Sequence, residues 1–309
     1  MSLIEKAARK LNEAAIGSSA VGTRRRQFVS ATEQGGTLPR LEDAVGSLDA
    51  SRGRAPAAQS EQRGGAVVEI DFSLLIHLGL VSPSLPGSLI SEQFRAIKRP
   101  VIRNAAGLAS TRNGNVIMVT SSFPGEGKTS TSICLAMSIA MERDKSVLLV
   151  DADVAKPSLF KTLQIPERPG LLDVLTNEKM DLGDVLFRTN IPNVSLLGSG
   201  TPDPHATELL ASDRMASLVS ELAERYSDRI IIFDSPPLLV TSEAAVLATH
   251  MGQIVVVVEA EQTGQEAIAS ALSLLDDRAV KLLVLNKCRV AGSGNYYGSY
   301  GDSKYGHSS

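Results

Sequence analysis

Val116-Ile-Met-Val-Thr-Ser-Ser-Phe-Pro-Gly-Glu-Gly-Lys-Thr129 decides how this chain folds. Val116 to Thr120 is short, apolar and β-branched, as a strand covered on both faces requires. From Thr129 to Arg143 the apolar spacing turns helical. The segment between them matches the Walker A pattern G-x-x-x-x-G-K-[ST] at Gly127, Lys128 and Thr129, with Ser122 in the first glycine position. That order of strand, small-residue loop and helix has a chemical purpose. Backbone N–H groups of the loop curl around phosphate oxygens, Lys128 reaches the β- and γ-phosphates, and the Thr129 hydroxyl faces Mg²⁺. Ser122, Pro124, Gly125, Glu126, Gly127, Lys128, Thr129 and Ser130 are therefore the expected nucleotide-binding residues, with ATP and Mg²⁺ as cofactors.

Outward from this segment, apolar runs alternate with helical patterns. Strands are expected at 146–150, 194–197, 230–233, 253–258 and 282–285, and the clearest helices at 215–226, 242–250 and 266–275. A repeated β-α order predicts an α/β fold, a doubly wound, mostly parallel sheet of the P-loop NTPase type. Two of the strands end in acid. Val150-Asp151-Ala152-Asp153 and Phe233-Asp234-Ser235 place three carboxylates at the carboxyl ends of parallel strands, where open α/β sheets bind ligands. Asp234 reads as Walker B. Thr129, Asp153 and Asp234 are the expected metal ligands, and Lys128, Asp151 and Asp153 the expected catalytic set, Asp151 taking or orienting the proton of an attacking hydroxyl.

The flanks differ in composition. Leu3, Ile4, Ala7, Ala8, Leu11, Ala14 and Ala15 form a helical stripe, so residues 1–16 read as a short amphipathic helix. Residues 17–65, rich in Gly, Ser, Gln and Arg, read as a disordered linker. Residues 66–291 are expected to form the folded phosphate-loop domain, followed by a flexible tail over 292–309. Of five tyrosines in the chain, Tyr296, Tyr297, Tyr300 and Tyr305 fall in that tail. A flexible Gly-rich segment suits acceptors that must enter an active site.

Composition removes several function classes. Among 309 residues, Lys and Arg number 31 against 34 Asp and Glu, a net charge of −3 that argues against a dedicated nucleic-acid binder. No apolar run has the length of a membrane span, and the mixed charges at the start do not suit a signal peptide, so a cytoplasmic location is expected. Two cysteines, Cys134 and Cys288, lie outside any C-x-x-C spacing and the four histidines are scattered, which gives no support to a disulfide framework or a zinc site.

Together, the Walker A loop, the Asp151-x-Asp153 strand end, the Asp234-Ser-Pro-Pro237 motif and the Tyr-rich terminus resemble the bacterial tyrosine kinases of polysaccharide synthesis. The resemblance covers about residues 90–309. Met1-Ser-Leu-Ile-Glu-Lys-Ala7 and Ala206-Thr-Glu-Leu-Leu-Ala-Ser212 are similar to the exosortase-associated tyrosine autokinase branch. Membership implies ATP-dependent autophosphorylation of the tail tyrosines and control of exopolysaccharide synthesis or export. It also implies ring-like self-association through a Glu-x-x-Arg-x-x-Arg helix, which in this chain reads Glu92, Arg95 and Lys98. A membrane chain-length regulator (co-polymerase) and a tyrosine phosphatase are the implied partners, with attachment to the inner membrane through the regulator. Where the family often has Arg-Arg-Pro after the paired aspartates, this chain has Val154-Ala155-Lys156-Pro157, one cation in place of two. Two other readings fit the loop: a partition or positioning ATPase related to ParA and MinD, and a nucleotide-sensing adaptor without kinase activity. The first carries a signature Lys early in its loop, where this chain has Phe123.

Overall fold

The computed structural model describes residues 67–108, 113–225 and 229–289. The expected N-terminal helix, the linker and the four tail tyrosines lie outside the described residues. In chain order the elements are β1 (Val67–Val68), α1 (Phe72–His77), α2 (Leu89–Arg103), β2 (Val116–Ser121), α3 (Lys128–Ala140), β3 (Ser146–Asp151) and α4 (Leu159–Thr162). There follow α5 (Leu171–Thr176), α6 (Leu182–Val185), β4 (Phe187–Thr189), β5 (Val194–Leu197), α7 (Ala206–Leu210) and α8 (Asp213–Arg225). The last are β6 (Arg229–Asp234), α9 (Ser242–Ala248), β7 (Gln253–Glu259), α10 (Gln265–Ser273) and β8 (Val280–Asn286).

The eight strands form one sheet in the order β1-β4-β5-β3-β6-β2-β7-β8. All pairings are parallel except β4 with β5. The expected doubly wound architecture is what the structure has. Alternate residues of β2 serve opposite faces: Val116 and Met118 pack with Leu172, Met215, Leu247 and Ala271 on one side. Ile117 and Val119 pack with Leu75, Phe94, Val101 and Ile133 on the other. A strand so covered must be apolar throughout, which is why the run from Val116 onward does not alternate. α3 lies between the sheet and α2, and every residue from Thr131 to Ala140 is buried.

Two connections were not legible as strands or contacts beforehand. β4 is three residues with a polar centre, and its place beside β1 is held by the Asn190 side chain, which accepts from Ile70 N at 2.9 Å and donates to Ile70 O at 3.1 Å. Buried Gln253, at the start of β7, donates to Val101 O at 3.0 Å and to Gly114 O at 2.6 Å. It thereby fastens the end of α2 to the sheet, satisfying backbone carbonyls that burial would otherwise leave costly.

Candidate active site

Parallel pairing brings the predicted site residues together. β2 runs centrally, with β6 and β3 on one side and β7 on the other, so the loop after β2 opens where connections diverge to the two faces. The register sets Asp151 of β3 directly opposite Asp234 of β6, and Asp234 opposite Val119 of β2. The acids at the two strand ends are thus one row, next to the loop.

Backbone conformation shapes the loop. Gly125 and Gly127 have φ of 88° and 97°, values that favour glycine. A Cβ on Gly127 would stand 2.1 Å from Asn286 Nδ2, so the position is closed to side chains by packing as well as by conformation. Gly127 is also the N-cap of α3 and, lacking a side chain, leaves the first N–H groups of that helix without a side-chain acceptor. Those groups, at the positive end of the helix, are suited to an anion.

Lys128 Nζ lies 2.7 Å from Asp153 Oδ2, with both side chains largely buried. The second Asp153 oxygen accepts from Lys156 N at 3.1 Å. Thr129 shares a 2.8 Å hydrogen bond with Ser158, at the start of α4. Asp234 is fully buried; its Oδ1 is 3.0 Å from the Ser132 hydroxyl, whereas Oδ2 has no hydrogen-bond partner. Burial raises its pKa to about 7, against the opposing influence of the Thr129 hydroxyl and the Lys128 charge, while the Asp151 charge adds to the rise. Ser122 Oγ is a second buried polar atom with no partner. A buried carboxylate oxygen with no donor is a costly arrangement.

Asp151 is engaged differently. Its oxygens accept from the backbone N–H groups of Asp153 at 3.3 Å, Ser158 at 3.1 Å and Leu159 at 3.0 Å. It holds the turn from β3 into α4. Burial pushes its pKa to about 6, the amide of Leu159 opposing and the Asp153 charge adding to the rise. Among the described residues no group of three Asp, Glu, His or Cys side chains is close enough to hold a metal unaided. That suits Mg²⁺, which is commonly held by one or two carboxylates with substrate phosphates and water. Thr129, Asp153 and the unpartnered oxygen of Asp234 are the donors that fit.

Glu126 has a part that its place in the motif did not indicate. Its carboxylate is buried and turned into the protein, accepting from Phe123 N at 2.8 Å and from the Thr263 hydroxyl. Asn286 donates to the Glu126 carbonyl at 2.9 Å. Three strand-end loops are joined by this one residue. Thr263 and Asn286 belong to no motif and carried no signal in the sequence. Pro124, Gly125 and Ser130 are exposed at the rim.

Of the residues expected to mediate self-association, Glu92 and Arg95 form an ion pair on the surface of α2, and Arg95 also donates to Pro86 O at 2.7 Å. Lys98 is turned inward instead: it is buried, donates to Ser138 O at 2.7 Å and pairs with Glu142 at 2.6 Å. A stem long enough to reach α3 lets an apparently surface-facing Lys serve as an internal tie.

Comparison with known proteins matches this arrangement to a family. A family model described as an AAA domain matches residues 114–282. The tyrosine-protein kinase YwqD of Bacillus subtilis (strain 168) is 32% identical over 224 residues, which is 72% of this chain and 91% of YwqD. The chain belongs to the bacterial tyrosine-protein kinases. Solved structures agree with this bacterial tyrosine kinase assignment. The chimerical protein CapA2B2 aligns with a TM-score of 0.58 at 27% identity, covering 71% of this chain and 92% of its own. The kinase domain of the Escherichia coli tyrosine kinase ETK gives 0.56 at 25% identity, covering 79% and 100%. Among the described residues, no helix of this family member is long and apolar enough to cross a membrane.

Proposed function

We propose that the chain is an ATP-dependent, Mg²⁺-requiring protein-tyrosine autokinase whose acceptors are Tyr296, Tyr297, Tyr300 and Tyr305. The observation that carries this reading is the convergence of Lys128, Asp153 and the unpartnered Asp234 oxygen beside a phosphate loop, in a chain of this family. Lys128 is the cation that moves from Asp153 to the transferring phosphate oxygens, where charge develops. Thr129, Asp153 and Asp234 would hold Mg²⁺, which would neutralise that charge. Glu126, through Phe123, Thr263 and Asn286, keeps the loop open-mouthed and stiff, so little ordering remains to be done on binding. Asp151 receives the phenol proton; a pKa raised to about 6 puts it near the working pH for that exchange.

In the cell we place this activity in the control of exopolysaccharide synthesis or export. The chain would work with a membrane chain-length regulator that brings it to the inner membrane and a phosphatase that resets the tail, and would assemble as a ring in which Glu92 and Arg95 face a neighbour. The motif resemblance supports that setting, including the exosortase-associated branch. The test is direct. Purified chain incubated with Mg-ATP should carry phosphate on the tail tyrosines by mass spectrometry, and Lys128→Met should carry none. Label appearing only as free phosphate would instead identify a nucleotide switch.

A further inference from the structure

At the end of α3 remote from the phosphate loop there is a second concave site, a cleft of about 580 Å³ between the C-terminal half of α2 and the turn that leads from α3 into β3. Its charge is lopsided in a particular way. Of the two acids in its lining, Glu142 is already paired with Lys98 and Asp144 stands beside Lys145. Arg99 and Arg103, one helical turn apart on α2, are exposed and have no partner among the described residues. Across from them Lys145 meets Asp144 at 3.5 Å, its one partner among the described residues. The half-buried side chains of Ile102 and Met141 complete the lining.

Three features narrow what such a cleft would take. Two planar guanidinium forks at i and i+4 suit a phosphate group, which each can grip with paired N–H donors. An apolar wall from Ile102 and Met141 suits the flat ring that a lipid headgroup or inorganic phosphate lacks. A net charge of −3 for the whole chain means that the cation excess is local, so general attraction to polyanions does not explain it. A phosphorylated tyrosine has both the dianion and the ring, and this chain has four tyrosines within residues 296–305.

We propose that the Arg99–Arg103–Lys145 cleft is a phosphotyrosine-binding site that takes the phosphorylated C-terminal tail. The site would read the product of the active centre, converting the state of the tail into a contact with α2, the helix whose Glu92 and Arg95 are the candidates for self-association. The biological source of the ligand rests on the kinase reading given above; the binding itself does not, because it can be measured with synthetic peptides.

The experiment uses the full chain carrying Lys128→Met, so that no phosphate is added during the measurement. Fluorescent peptides spanning residues 290–309, with the four tyrosines phosphorylated or not, are titrated by anisotropy. The phosphopeptide should bind at least about tenfold more tightly, and Arg99→Ala with Arg103→Ala should remove about tenfold or more, since each deletes a charge-assisted hydrogen bond to the phosphate. Arg99→Lys should recover only part of that loss, the charge without the fork. Both arginines are exposed and without a partner among the described residues, so an unchanged melting temperature verifies that the double variant folds. Equal affinity for the two peptides would overturn the proposal, as would full binding by the double variant. Arginine-dependent binding to phosphatidylglycerol vesicles without phosphopeptide binding would overturn it in favour of a lipid headgroup, and competition by inorganic phosphate as effective as by free phosphotyrosine would remove the part assigned to the ring. Failure of these peptides to bind would leave autophosphorylation untouched, and failure of autophosphorylation would not abolish their binding.

Discussion

Asp234→Asn should make the chain more stable while destroying the activity we assign to it. The Asp234 carboxylate is fully buried with one oxygen unpartnered, and burial raises its pKa from 3.8 to about 7. A carboxyl group whose pKa is higher folded than unfolded binds protons more tightly in the folded chain, so its contribution to stability falls as pH rises between those values. At 1.36 kcal/mol per pH unit the full difference is about 4 kcal/mol, developed above about pH 7 and absent below about pH 4. Asparagine keeps the size and cannot ionise. It loses the attraction to Lys128, so the net gain at about pH 8 should be smaller, roughly 2–3 kcal/mol, or roughly 4–12 °C in melting temperature for a domain of this size. Calorimetry in EDTA at about pH 8 and about pH 4.5 reads this directly: the variant should melt higher at the first and within about 1 kcal/mol of wild type at the second. Because the Asp151 charge acts on Asp234, the substitution also alters the titration of Asp151, so the difference between the two curves belongs to the coupled pair of carboxylates, with Asp234 as the group removed. Added Mg-ATP should raise the wild-type melting point and narrow or reverse the gap. A variant less stable than wild type at the higher pH, or an equal gap at both, would refute the reasoning that this oxygen is held in readiness for a cation.

Gly127→Ala should cost roughly 2–3 kcal/mol of stability and most nucleotide affinity, because the left-handed backbone is strained for alanine and the new Cβ displaces Asn286 from the Glu126 carbonyl; urea unfolding and nucleotide titration check both. Lys98→Met should lower stability by roughly 1–3 kcal/mol without changing the sedimentation behaviour of the chain, since Lys98 bonds α3 internally, whereas Glu92→Ala with Arg95→Ala should shift sedimentation toward monomer. Thiol titration of the native chain should show one fast cysteine, Cys288, which is exposed; Cys134 is buried with its thiol pushed up to about 11 and should react only on unfolding.

Much of the architecture was written in local sequence. Strands covered on both faces have to be continuous apolar runs, and Val116 to Thr120, Ile230 to Phe233 and Gln253 to Val258 are such runs, so these strands and the long helices between them could be read within two or three residues of where they lie, whereas the short β1 and β4 could not. The Walker A loop was equally legible, because phosphate binding by backbone N–H groups demands small residues at fixed spacing before the Lys, and Ser122 and Gly127 supply them within the nine residues from Ser121 to Thr129. What the tertiary structure alone decided is pairing across distance. The insertion of β6 between β2 and β3 puts Asp151 opposite Asp234, 83 residues later. Burial, not sequence, sets those two carboxylates apart from ordinary ones. Glu126 looked like one more loop residue until Thr263 and Asn286 were found against it, and Lys98 looked like a surface charge until α3 was seen to accept it. Neither partner is encoded by spacing, because hydrogen bonds between loops depend on where separate strands happen to end, and that is fixed only when the whole sheet is assembled.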